Sequence, residues 1–91
     1  MAEKDIEVYL RDEVKRVGGR AYKFISPGNA GVPDRLLLFP GAKVVFVELK
    51  APGKKSTALQ KGQQKRIANL GFQVFVLDNK TSVDELIRNY T

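Results

Sequence analysis

The chain has no cysteine and no histidine among its 91 residues. The first absence removes disulfides, zinc–thiolate sites and thiol nucleophiles. The second removes imidazole bases, imidazole metal ligands and the Ser-His-Asp triad. Any catalysis must therefore use carboxylates, lysines, amides, hydroxyls and a bound metal ion. Tryptophan is also absent, and the 3 tyrosines and 5 phenylalanines mostly fall at core-like spacings, with Tyr9 and Tyr22 the exceptions. That pattern argues against an RNA-binding module that stacks bases on exposed rings. No apolar run is long enough to span a bilayer. No signal-peptide pattern is visible either, since Met1 leads straight into Ala2-Glu3-Lys4-Asp5, so a cytoplasmic protein without a membrane partner is expected. What the chain has in excess is positive charge. Its 16 Lys and Arg stand against 10 Asp and Glu, a net charge of +6 and a pI near 9.8. Such a balance favours an acidic polymer as partner, with a merely solvated basic surface as the plainer alternative. The length predicts a single domain over residues 1–91. A domain this small buries only roughly 60–65% of its unfolded surface, so a partner subunit would help it.

Hydrophobic periodicity organises the chain into the order α-β-β-β-α-β-α. Residues 3–17 read as an amphipathic helix with Ile6, Leu10, Val14 and Val17 inward, stopped by Gly18-Gly19. Residues 20–26 read as a strand and 27–33, PGNAGVP, as a breaker-rich loop. Residues 34–39 and 43–50 read as two strands joined by Pro40-Gly41-Ala42, an antiparallel hairpin. A basic loop, 51–56, leads to a second helix at about 57–70, with Leu59, Ile67 and Leu70 inward. Residues 72–77 form the next strand, parallel to its neighbour after a helical crossover. The last helix begins near Ser82, where Ser82 and Glu85 fit a capping box, and carries Val83, Leu86, Ile87 and Tyr90 on its core stripe. Segments 44–49 and 72–77 are apolar on both faces, which predicts a sheet covered by helices on both sides.

The chemistry-bearing residues lie in the middle. Pro33-Asp34 and Glu48-Leu49-Lys50 are separated by thirteen residues between the two acids. If Phe39 pairs with Lys43 across the three-residue turn, Asp34 falls directly opposite Glu48. Opposed Cβ atoms are about 4.5–5.5 Å apart. Two carboxylates that close repel unless a cation lies between them. A slip of one residue would put them on opposite faces. Lys50 shares a face with Glu48 by the period of two. An acid pair plus a lysine suits metal-assisted attack of water on a phosphodiester. The plainer readings are a Glu48–Lys50 ion pair and a strand-end lysine. Glu7 borders the apolar stripe of the first helix and could reach inward as a third carboxylate, with Glu3 one turn earlier as a rival and a solvated acid as the plain reading. Gln60 forms a capping box with Thr57, or orients a water or phosphate near Lys50. Lys54 and Lys55 in the loop, and Lys61, Lys65 and Arg66 on the second helix, would bind a phosphate backbone. The GKKS run at 53–56 is not a P-loop, because Glu48 occupies the position of its first glycine and a lysine follows Lys54.

With these residues in hand, the stretch GVPDRLLLFPGAKVVFVELKAPGKKSTALQ resembles the core of the PD-(D/E)xK nucleases, and within them the VRR-NUC (virus-type replication-repair nuclease) branch. The resemblance runs from Glu3 to about Val83. It implies an α/β restriction-endonuclease-like core, a mixed sheet flanked by helices. It implies Asp34 and Glu48 as metal ligands together with the backbone carbonyl of Leu49, Lys50 at the attacking water, Glu7 as the acid of the first helix, and Gln60 as the glutamine after the core. It further implies a Mg²⁺- or Mn²⁺-dependent DNA endonuclease acting on branched, junction-like DNA. Such a protein would be a homodimer, of phage or prophage type in a bacterial host. The rival is a non-catalytic basic DNA- or RNA-binding module.

Overall fold

The turn between the two central strands sets their register against each other. The computed structural model describes residues 1–91. Helix α1 (Glu3–Arg16) is followed by β1 (Arg20–Lys23), β2 (Arg35–Phe39), β3 (Lys43–Leu49), α2 (Ala58–Asn69), β4 (Gln73–Leu77) and α3 (Lys80–Asn89). The strands lie side by side in the order β1-β2-β3-β4. β1–β2 and β2–β3 are antiparallel, and β3–β4 is parallel. Phe39 pairs with Lys43, with Gly41 and Ala42 at positive φ in the turn between them. This is the mixed sheet and element order expected from the periodicity.

One face of the sheet carries the core. Leu37 and Phe39 of β2, Val45, Val47 and Leu49 of β3 and Leu77 of β4 pack against Ile6, Leu10 and Val14 of α1 and Val83, Leu86 and Ile87 of α3. The helical stripes at three- and four-residue spacing meet the strand residues of one parity, which is why these positions vanish from solvent.

The other face departs from expectation. α2 has no buried residue. Leu59 and Leu70, expected inward, are 58% and 77% exposed, while Ile67 is half-buried. Both faces of β4 are apolar, yet Val76, and Phe72 just before the strand, remain exposed. A single short helix cannot cover a four-stranded face. An aromatic chain, Phe24–Phe46–Phe72, covers part of it, each pair edge-to-face at 5.7 Å.

Two boundaries also differ. β1 ends at Lys23 rather than Ser26, although the Phe24 amide still donates to the Asp34 carbonyl at 2.8 Å. α3 begins two residues before Ser82, because Asn79 caps it: the Asn79 side chain accepts from the Ser82 amide at 2.7 Å. Asn79 is as good a cap as Ser82, and it lies farther upstream.

The loop before β2 is anchored from below. Gly31 has φ +88° and lies against α2 so closely that an added Cβ would meet Leu59 Cγ at 2.9 Å. Gln63 donates to the Ala30 carbonyl at 3.2 Å. Only glycine fits both the backbone conformation and the contact.

Candidate active site

β2 and β3 bring the two acids together. Continuing their register one residue past the Arg35–Val47 pair places Asp34 opposite Glu48. Asp34 is fixed there because its Oδ1 accepts from the Leu49 amide at 3.1 Å. Glu48 is only 5% exposed. Its Oε2 faces two side chains: Lys50 Nζ at 3.7 Å and Gln60 Nε2 at 3.4 Å. Burial pushes the Glu48 carboxyl up to about 7. The Asp34 charge adds to the rise and Lys50 opposes it, while Glu3 of α1 contributes a further, smaller rise. A divalent cation between the two carboxylates would offset both the burial of Glu48 and its repulsion from Asp34. The donors on offer are oxygens alone, which suits a hard cation such as Mg²⁺ or Mn²⁺. No three acidic side chains converge in the structure, so an ion held here would need backbone carbonyls, water or phosphate oxygens beside the two acids.

Gln60 reconciles its two sequence readings. Its side-chain oxygen accepts from the Thr57 amide at 2.9 Å, and its own amide donates to Thr57 Oγ1 at 3.2 Å, a full capping box. Its other side-chain atom, the amide nitrogen, is free to reach Glu48. The cap therefore orients the site-facing end.

Glu7 is engaged elsewhere. Its Oε2 lies 2.6 Å from Arg35 Nη2. Arg35 is 9% exposed, on the core face opposite Val47. A guanidinium there must be paired, and Glu7 is the acid within reach. Arg35 Nη1 also donates to the Asp34 carbonyl at 2.9 Å and lies 4.0 Å from Asp34 Oδ2. It thus ties α1 to the backbone of the site aspartate. Sequence reasoning passed over Arg35. The available signal was an arginine in the inward phase of RLLLF, where an apolar residue belongs.

Lys54, Lys55, Lys61, Lys65 and Arg66 are all exposed, on loop 51–56 and α2. Of loop 51–56 and α2, Gln60 is the residue that touches the acid pair.

Known proteins share this sequence and fold. The chain is 53% identical over 78 residues to "Putative nuclease p44" of Acyrthosiphon pisum secondary endosymbiont phage 1, an alignment that covers 86% of this chain and 84% of that one. A solved structure described as a VRR_NUC domain superposes with a TM-score of 0.90 at 30% identity, over 98% of this chain and 97% of the other. The chain belongs to the VRR-NUC nuclease family. A further solved VRR_NUC domain protein shares the fold, with a TM-score of 0.77 at 21% identity, over 99% of this chain and 88% of that one. No model of a known family matches the chain. The segment that carries the VRR-NUC resemblance, from Gly31 to Gln60, is the segment that builds the acid pair, Lys50 and the cap. No helix is long and apolar enough to cross a membrane.

Proposed function

We propose that this VRR-NUC protein is a Mg²⁺- or Mn²⁺-dependent DNA endonuclease that acts on branched DNA. The observation that carries the reading is the convergence of Asp34, Lys50 and Gln60 on a buried Glu48. Asp34 and Glu48 would hold the ion, joined by the Leu49 carbonyl, whose own amide is already fixed by Asp34. Once bound, the ion supplies an acidified water and positive charge beside the phosphate. Lys50, 15% exposed at its side chain, holds its ammonium beside Glu48. There it can orient the attacking water or stabilise charge on a phosphate oxygen. Gln60 fixes the Glu48 carboxylate and can orient water from the same side. From α1, Glu3 rather than Glu7 is the acid whose charge bears on Glu48. Glu7 acts through Arg35. The cations of loop 51–56 and α2 bind the DNA backbone.

A homodimer would place two such sites on one substrate. The apolar sheet face that α2 leaves open, with Leu38, Phe72 and Val76 exposed, supports a second copy.

Cleavage of linear, flapped and four-way DNA, with EDTA, Mg²⁺ or Mn²⁺, tests the reading. Cutting should require either ion and favour branched substrates. Undiminished cutting in EDTA would remove the metal mechanism. DNA binding without cutting under any ion would leave a basic binding module. Sedimentation of the wild type and of Phe72→Glu tests the dimer.

A further inference from the structure

The basic residues assigned so far all lie on loop 51–56 and α2. A second group of cations lies where α1 meets β1. Glu3, Glu7, Arg11 and Lys15 follow one another at four-residue spacing, so they form a single row along α1. The row is about 18 Å long at 1.5 Å per residue. Its acidic part meets Arg35 through Glu7, and its basic end points away from that contact.

Two clefts run beside this row. One of about 210 Å³ is lined by Glu7, Arg11, Lys23 and Arg35, among others. The next, of about 360 Å³, is lined by Arg11, Lys15, Arg20 and Tyr22, among others. They share Arg11 and Ala21, so they adjoin, and together they are called the α1–β1 trough. It starts at Arg35, the neighbour of Asp34, and follows β1 back towards Arg20. Lys15, Arg20 and Lys23 are exposed and make no ion pair. Glu7 is neutralised by Arg35. Asp12 meets only Arg11, at 3.4 Å, with both side chains 62% exposed. A solvated pair of that kind is easily exchanged for a phosphate. Tyr22 is half exposed and walls the outer cleft.

The acid pair therefore sits between two separate basic tracts. α2 approaches it through Gln60, and α1 approaches it through the Glu7–Arg35 pair. A straight duplex needs only one tract to reach a site at its edge. Two tracts diverging from one site match two arms diverging from a branch point.

We propose that the α1–β1 trough is a second DNA-binding tract, which takes the phosphate backbone of one arm of a branched DNA while loop 51–56 and α2 take another. This rests on the nuclease reading above. The test uses the full chain and two variants: Lys15→Gln/Arg20→Gln/Lys23→Gln in the trough and Lys61→Gln/Lys65→Gln/Arg66→Gln on α2. Binding to a four-way junction and to a linear duplex is measured in EDTA across a salt series, with thermal melts to confirm folding. The trough variant should lose at least tenfold in junction affinity. Its salt slope on the junction should flatten by about 3 per protomer, since each phosphate contact contributes roughly 0.9 to the slope. Its duplex affinity should stay within twofold. The α2 variant should weaken on both DNAs. Unchanged junction binding by a folded trough variant would overturn the proposal, and so would an equal loss on both DNAs. Neither outcome touches the nuclease reading, which fails separately if the wild type cuts nothing with Mg²⁺ or Mn²⁺.

Discussion

Replacing Glu48 by glutamine should change how stability depends on pH, in a direction the burial of this side chain dictates. In the metal-free protein the Glu48 carboxyl is raised from 4.5 to about 7, chiefly by burial. A raised acid holds its proton more tightly folded than unfolded. Its contribution to stability is therefore fully present below the unfolded value and is lost as pH rises through 7. Carried from pH 5 to pH 8, that shift corresponds to a loss on the order of 2–3 kcal/mol in the wild type. Glu48→Gln keeps the shape and an amide for hydrogen bonding but cannot ionise, so it should not show this loss. The sequence makes the measurement clean, because no histidine or cysteine titrates in that window. The α-amino group is common to both proteins and cancels. Absolute stabilities also carry the loss of a partner for Lys50, so the difference in pH dependence is the readout. Urea unfolding in EDTA at half-unit steps from pH 5 to 8 provides it. The wild-type midpoint should fall relative to the variant's, with most of the change between pH 5 and 7. Parallel profiles would refute the account of a buried, charge-crowded Glu48. Added Mn²⁺ at pH 8 should stabilise the wild type and not the variant.

Lys50→Ala should retain Mn²⁺ and DNA binding yet lose cleavage, whereas Asp34→Ala should lose metal affinity as well; calorimetric titration beside a nicking assay separates the two. Gln60→Ala should lower stability by about 0.5–2 kcal/mol through the cap and also slow cleavage, while Thr57→Ala should cost similar stability and spare most activity at low temperature; equal activities in the two variants would leave Gln60 as a cap alone. Arg35→Lys keeps the charge beside Glu7 but not the guanidinium fork. It should fold, bind Mn²⁺ several-fold more weakly and cut more slowly, and an unchanged metal isotherm would show that Asp34 is held without Arg35.

Much of this site was legible before any fold was known, because its parts are local. A three-residue turn and the two-residue period of strands are enough to set Asp34 against Glu48 and to put Lys50 on the same face. The missing histidines and cysteines restrict the ligands to oxygen, whatever the fold. The capping box at Thr57 and Gln60 lies within one helical turn and needs no partner to be recognised.

Other features depended on which elements meet. Glu3 and Glu7 lie four residues apart on one line of α1, so periodicity cannot rank them. The buried guanidinium of Arg35, contributed by a strand 28 residues further on, engages Glu7 and leaves Glu3 as the α1 acid whose charge acts on Glu48. The inward face expected for α2 failed for a similar reason. A helical stripe records which residues would be buried if something covered them. Whether Leu59 and Leu70 are covered depends on how much sheet lies beneath one short helix, and on Gly31 bringing the loop against Leu59 rather than another layer. Local spacing determined the acid pair, the lysine beside it and the cap. Long-range packing decided which α1 acid Arg35 engages and which faces stay open.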